Sequence, residues 1–124
     1  MKFSGICLIT EDVPRLVDFY QQVLDARATG DETHAEILTE GCGLAIYAKS
    51  AAEQDMAFNF RGHWGAGNVT LMFCVEDVDR EYARLKPVVQ EFMTAPKTYP
   101  WGARSVHFRD PDGNIVDIYS PPQG

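Results

Sequence analysis

The chain has 124 residues, 45% hydrophobic and 23% charged, with a net charge of −7, which is one domain's worth and enough to bury a core without disulfides or structural metal. Its scattered Lys and Arg form no basic stripe to neutralise phosphates, which excludes nucleic acid as a partner. No run approaches the roughly 18 apolar residues of a membrane helix, so no membrane partner is expected.

The first strand-like run, Gly5 to Thr10, ends in Glu11-Asp12-Val13 and opens a helix with Val13, Leu16, Val17, Tyr20 and Leu24 on one face. Asp12 suits the N-cap, and Pro14 stands in the first turn, where a missing N–H costs nothing. Strands follow over Thr33 to Thr39 and Gly43 to Ala48, and the turn Glu40-Gly41-Cys42-Gly43 between them is expected to draw positive φ from its glycines. Residues 50–66 read as a connection, bent at Gly62, Gly65 and Gly67.

A second strand, Thr70 to Val75, then runs into Glu76-Asp77-Val78 and a helix with Val78, Tyr82, Leu85 and Val89 on one face, stopped near Pro87. The two strands begin at Gly5 and Thr70, 65 residues apart, and both end in Glu-Asp-Val. Gln90 to Ala95 is a weaker strand candidate. Arg104 to Arg109 alternates, Asp110-Pro111-Asp112-Gly113-Asn114 makes a turn, and Ile115 to Tyr119 returns as the last strand. The chain thus reads as a single domain over 1–124, with a first module over 1–49, a connection over 50–66 and a second module over 67–120. Repeats of this kind place a ligand site between their halves.

Cys7, Cys42 and Cys74 cannot all pair and form no CxxC, so neither zinc nor a redox motif is expected and the expected compartment is a reducing cytoplasm. Cys7 and Cys74 lie in apolar runs, where a buried, unreactive thiol is the usual reading. The short apolar run after Met1-Lys2 meets Glu11-Asp12, so no signal peptide is expected. Nucleophilic catalysis finds no support: there is no Gly-x-Ser-x-Gly elbow, and Gly62 to Gly67 lacks the Lys-Ser/Thr of a phosphate loop.

Two stretches resemble a known family. The opening strand with Glu11-Asp12-Val13 and Asp18-Phe19-Tyr20-Gln21-Gln22-Val23-Leu24, and Pro100-Trp101-Gly102 with Phe108-Arg109-Asp110-Pro111-Asp112-Gly113-Asn114, are similar to the vicinal oxygen chelate superfamily of glyoxalases, dioxygenases and bleomycin resistance proteins. The Asp-Pro-Asp-Gly-Asn turn best matches the bleomycin-resistance-like branch. The resemblance implies an α+β fold of two tandem βαβββ modules forming a curved, mostly antiparallel sheet around a cleft, often completed in a homodimer. It also implies four metal-ligand positions, which fall on Gly5, within Leu44 to Ala48 (where Tyr47 is the only polar side chain), on Thr70 and on Asp117. One carboxylate is too few for a catalytic metal, which takes about three imidazole, thiolate or carboxylate ligands. No cofactor is expected. His34, His63 and His107 stand at no ligand spacing.

The expectation is therefore a metal-independent protein that binds a small molecule, planar or cationic, with antibiotic sequestration as the family precedent and binding favoured over catalysis. Its candidate ligand-binding residues are Tyr47, Phe58, Phe60, Trp64, Thr70, Met72, Trp101, His107 and Asp117, with no catalytic residue named. The rings Phe58, Phe60, Trp64, Tyr99 and Trp101 suit stacking on a planar ligand. Asp117 shares one face of the last strand with Ile115 and Tyr119, as a counter-charge for a ligand or as the partner of Arg104 or Arg109. The alternative is a metal-dependent glyoxalase- or dioxygenase-like enzyme with an altered metal site drawn from His63, His107 or Asp117.

Overall fold

In the computed structural model, which describes residues 2–123, the chain divides into two compact units, Met1–Trp64 and Gly65–Gly124. Each follows the order strand, helix, three strands, with one helix added in the first unit. The fold is α+β, with two four-stranded mixed sheets.

In the first unit, β1 (Gly5–Thr10) lies parallel to β4 (Gly43–Ala48). Antiparallel β3 (His34–Ile37) and β2 (Ala28–Gly30) extend the sheet in the order β1-β4-β3-β2. Helix α1 (Val13–Leu24) begins where the sequence places it: the Asp12 carboxylate accepts from the Arg15 N–H at 3.1 Å, and Pro14 stands in the first turn. Val13, Leu16, Tyr20 and Val23 are buried with Ile37, Leu44 and Ile46. Burying one helix stripe on one sheet face makes the core and leaves the sheet's other face open.

The second unit repeats the plan. Strand β5 (Thr70–Cys74) lies parallel to β8 (Ile115–Ser120), followed by antiparallel β7 (Arg104–Arg109) and the two-residue β6 (Lys97–Thr98), in the order β5-β8-β7-β6. The other helix of the repeat, here α3 (Val78–Leu85), is capped by Asp77, whose carboxylate accepts from Arg80 N–H at 3.1 Å. Its Val78 and Leu85, with Val89, join Val106, Phe108, Val116 and Ile118 in the core. The Asp110 turn is closed by its first residue: Asp110 Oδ1 accepts from the N–H of Asp112 and Asn114, both at 2.9 Å, and Gly113 supplies φ +92°.

Four local readings are corrected. A short helix, α2 (Lys49–Asp55), occupies the start of the region read as a connection. Its N-cap Ala48 makes no side-chain cap bond, so the usual start signal is absent, and buried Ala52 anchors it. The turn before β4 takes no positive φ at Gly41 or Gly43. Thr39 Oγ1 closes it, accepting from Gly41 N–H at 3.2 Å and donating to Cys42 O at 2.6 Å. The segment over 90–95 forms a single bridge, Phe92 to Phe108, because Met93 and Thr94 N–H both turn to His107 O and Pro96 brings no donor. Cys7 and Cys74 are exposed, since an apolar strand run is buried on both faces only when both faces of its sheet are covered.

Candidate functional site

The parallel and antiparallel registers of β5, β8 and β7 set three rows across the open face of the second unit's sheet. They read Thr70, Ile115, Arg109; then Met72, Asp117, His107; then Cys74, Tyr119, Ser105. Strand alternation sends Leu71, Val116, Ile118, Val106 and Phe108 to the helix-covered face. The middle row carries the chemistry.

Asp117 is 8% exposed, and its Oδ1 is buried without a hydrogen-bond partner. His107 Nε2 lies 3.4 Å from that oxygen, an electrostatic contact that falls short of a hydrogen bond. Burial pushes the Asp117 carboxyl above the usual carboxylate range, while His107 and a hydrogen bond with Ser105 pull it back. Neither arginine weighed for Asp117 pairs with it. Arg104 forks onto both Asp79 oxygens, at 2.8 and 2.7 Å, and Arg109 donates to Gly113 O at 2.8 Å.

The other ring nitrogen of His107 is also engaged. Thr94 Oγ1 stands 3.1 Å from Nδ1 and accepts the backbone N–H of His107 at 3.0 Å. The hydroxyl keeps a second lone pair, so the proton of the Oγ1–Nδ1 contact comes from Thr94 or from the ring according to the His107 tautomer.

Tyr99 meets His107 edge-on with ring centroids 6.4 Å apart, and Trp101 stacks on Tyr99 at 4.9 Å and 17°. The Trp101 indole remains 69% exposed, and Met72, beside Asp117 in the row, is exposed too. Within this unit the structure gathers Met72, Trp101, His107 and Asp117 around one row, with Thr70 in the row beside it.

Tyr47, Phe58, Phe60 and Trp64 belong to the first unit. Tyr47 stands on the open face of β4, donates to Asp55 Oδ2 at 3.2 Å and meets His34 edge-on at 5.5 Å. Burial and then the Asp55 contacts hold its phenol above the ordinary range. Phe58, Phe60 and Trp64 form their own edge-on chain with centroids 6.0 and 5.0 Å apart, and Lys49 Nζ lies 4.7 Å above the Trp64 ring. Of the rings read from the sequence, Phe58, Phe60 and Trp64 lie in the first unit and Tyr99 and Trp101 in the second. Thr94 and Ser105 were not singled out. Ser105 shares the alternation of His107, so period 2 would have placed it on this face, whereas Thr94 lies in a loop without a motif.

The four positions implied for metal do not fit one. A Cβ on Gly5 would stand 2.5 Å from Gly43 O, so the β1–β4 pairing itself holds that corner as glycine. Tyr47 is committed to Asp55, Thr70 offers a hydroxyl and Asp117 a single carboxylate. Among the described residues no three or more His, Cys, Asp or Glu side chains are grouped to hold an ion. Nor is any helix of the described residues long and apolar enough to cross a membrane.

Comparisons with known proteins agree with this architecture. The model for the glyoxalase/bleomycin resistance protein/dioxygenase superfamily matches residues 2–118. The "Uncharacterized protein YraH" of Bacillus subtilis (strain 168) is 30% identical over 134 residues, spanning 96% of this chain and 98% of that protein. A solved glyoxalase/bleomycin resistance protein/dioxygenase from Nocardioides is 25% identical, with TM-score 0.81, over 100% of this chain and 85% of that one. Lactoylglutathione lyase from Agrobacterium tumefaciens is 19% identical, with TM-score 0.75, over 96% and 92%, a likeness of fold alone.

Proposed function

The chain belongs to the glyoxalase/bleomycin resistance protein/dioxygenase superfamily, and from that premise we propose that it captures a planar, cationic small molecule without a metal, in the manner of the bleomycin-resistance-like branch. The observation that carries this reading is the ring run Trp101–Tyr99–His107 beside a buried acid on the open face of a sheet. A large indole held flat and left exposed offers a stacking platform worth about 0.5–1.5 kcal/mol per ring pair beyond area burial. The carboxylate one strand in, on the same row as His107, favours a cation over a neutral ring of the same shape. The Phe58–Phe60–Trp64 chain, with Phe58 and Trp64 exposed and Phe60 half-buried between them, offers the first unit a second aromatic surface. The working form in this reading is a cytoplasmic homodimer.

Thermal-shift measurement with benzamidine, a planar aromatic cation, and with neutral benzamide tests it. Benzamidine raises the melting temperature by mass action, reaching about 2.7 kcal/mol of stabilisation at a hundredfold excess over Kd, and benzamide does so less. Trp101→Ala removes the shift while the protein stays folded, and Trp64→Ala reads the contribution of the first unit. The reading fails if protein purified without a His-tag holds close to one divalent ion per chain and turns over a chelating substrate.

A further inference from the structure

We propose that Thr94, His107 and Asp117 form a hydroxyl–imidazole–carboxylate line in which the Thr94 hydroxyl is an activated nucleophile able to take an acyl group from an activated ester. Three observations on the second unit carry it. Thr94 Oγ1 lies 3.1 Å from His107 Nδ1, within reach for direct proton transfer. His107 Nε2 lies 3.4 Å from Asp117 Oδ1, on the far side of the ring. That oxygen is buried and otherwise without a hydrogen-bond partner.

The third observation distinguishes this line from a loop clasp. An under-satisfied carboxylate oxygen 3.4 Å from the ring is matched to the imidazolium, so the charge it complements is the one that forms when His107 takes a proton. Thr94 is prepared from a second direction: the backbone N–H of His107 donates to Oγ1 at 3.0 Å, a dipole aimed where negative charge develops as the hydroxyl ionises. Tyr99, edge-on to His107, with Trp101 stacked upon it, supplies an aromatic surface next to the line for the ester's ring.

In the step, Thr94 Oγ1 forms a bond to the ester carbonyl carbon as its proton passes to His107 Nδ1. The tetrahedral adduct collapses by breaking the carbon–oxygen bond to the leaving alcohol or phenol, which recovers the proton from His107. Water then gives a proton to the same nitrogen and bonds to the acyl carbon, the carbon–Oγ1 bond breaks, Oγ1 recovers the proton from His107 and the carboxylic acid leaves. General-base assistance supplies about 10²–10⁴-fold, so slow acylation that accumulates on the protein is the expected signature.

The test incubates the full chain with p-nitrophenyl acetate and maps acetyl groups by peptide mass spectrometry, with circular dichroism confirming each variant's fold. Wild type carries acetyl on Thr94, and Thr94→Ser carries it on the new serine. His107→Gln lowers the rate of that modification by about a hundredfold, whereas lysine acetylation in the same digests is unchanged. Asp117→Asn lowers it in the same direction. No acetyl at position 94 in wild type or Thr94→Ser overturns the proposal, and so does modification there at an equal rate in His107→Gln.

Discussion

Replacing Asp117 by Asn is expected to make the protein more stable at neutral pH. The side chain is 12% exposed and its Oδ1 has no hydrogen-bond partner, a state that costs about 1–3 kcal/mol for a buried polar group. An Asn of the same shape turns its oxygen to His107 Nε2–H and its amide N–H to the Ser105 hydroxyl, so both contacts survive without the charge. Loss of the charge-assisted part of the Ser105 bond gives back about 1 kcal/mol, leaving a net gain of about 1 kcal/mol. That is about 4 °C in Tm for a chain of this length. The sign with pH follows from the raised carboxyl. The folded protein holds this proton more tightly than the unfolded chain does, so ionisation destabilises the fold as pH rises through the unfolded and then the folded value. The advantage of Asn is therefore full above the folded value and disappears in acid below the unfolded value, where Asp117 is neutral in both states. Urea unfolding of both proteins at neutral and acid pH measures it. An Asn variant less stable at neutral pH, or a gain that grows in acid, refutes the reasoning.

Other expectations follow from single contacts. Gly5→His, the substitution that would restore an imidazole to the first strand, drives its Cβ into Gly43 O and should cost about 1–3 kcal/mol in urea unfolding without creating metal affinity by calorimetry. Asp12→Ala and Asp77→Ala each remove one N-cap acceptor and should each cost about 1 kcal/mol, nearly additively when combined, since they cap separate helices in separate units. Cys7 is exposed, yet its surroundings desolvate the thiol and push it up. In a Cys42→Ser, Cys74→Ser background it should therefore alkylate slowly with iodoacetamide at neutral pH and keep accelerating beyond the pH where an ordinary thiol levels off.

The repeat was legible because each copy states its own punctuation. Asp12 and Asp77 cap helices that begin at Val13 and Val78, and the apolar stripes after them have the helical period. Asp110-Pro111-Asp112-Gly113-Asn114 was equally explicit, since one carboxylate closes the turn from within five residues. Local chemistry of this kind needs no distant partner. Helix α2 and the Thr39 turn were missed because the first lacks a side-chain cap and the second is closed by a threonine where glycine drew attention.

The candidate site divides along the same line. Alternation in β8 placed Asp117 on the face with Ile115 and Tyr119, and alternation in β7 does the same for His107 and Ser105, because a strand's period is a property of the backbone. The turn joined β7 to β8, but the register between them was not legible, nor was the residue on β7 that would stand beside the acid. Register follows from which faces are buried across the whole sheet, and only there does His107, not Arg104 or Arg109, become the partner of Asp117. Thr94 depended on more still, since the folding of a motif-free loop onto β7 brings its hydroxyl to a ring 13 residues away. Amino-acid order alone settled the two strand–helix openings, their duplication, the last turn and the glycine and threonine at two of the implied ligand positions. Tertiary packing decided which side chains meet, because a polar group's neighbours, and with them its charge and reactivity, are set by strand pairing and burial that no local window contains.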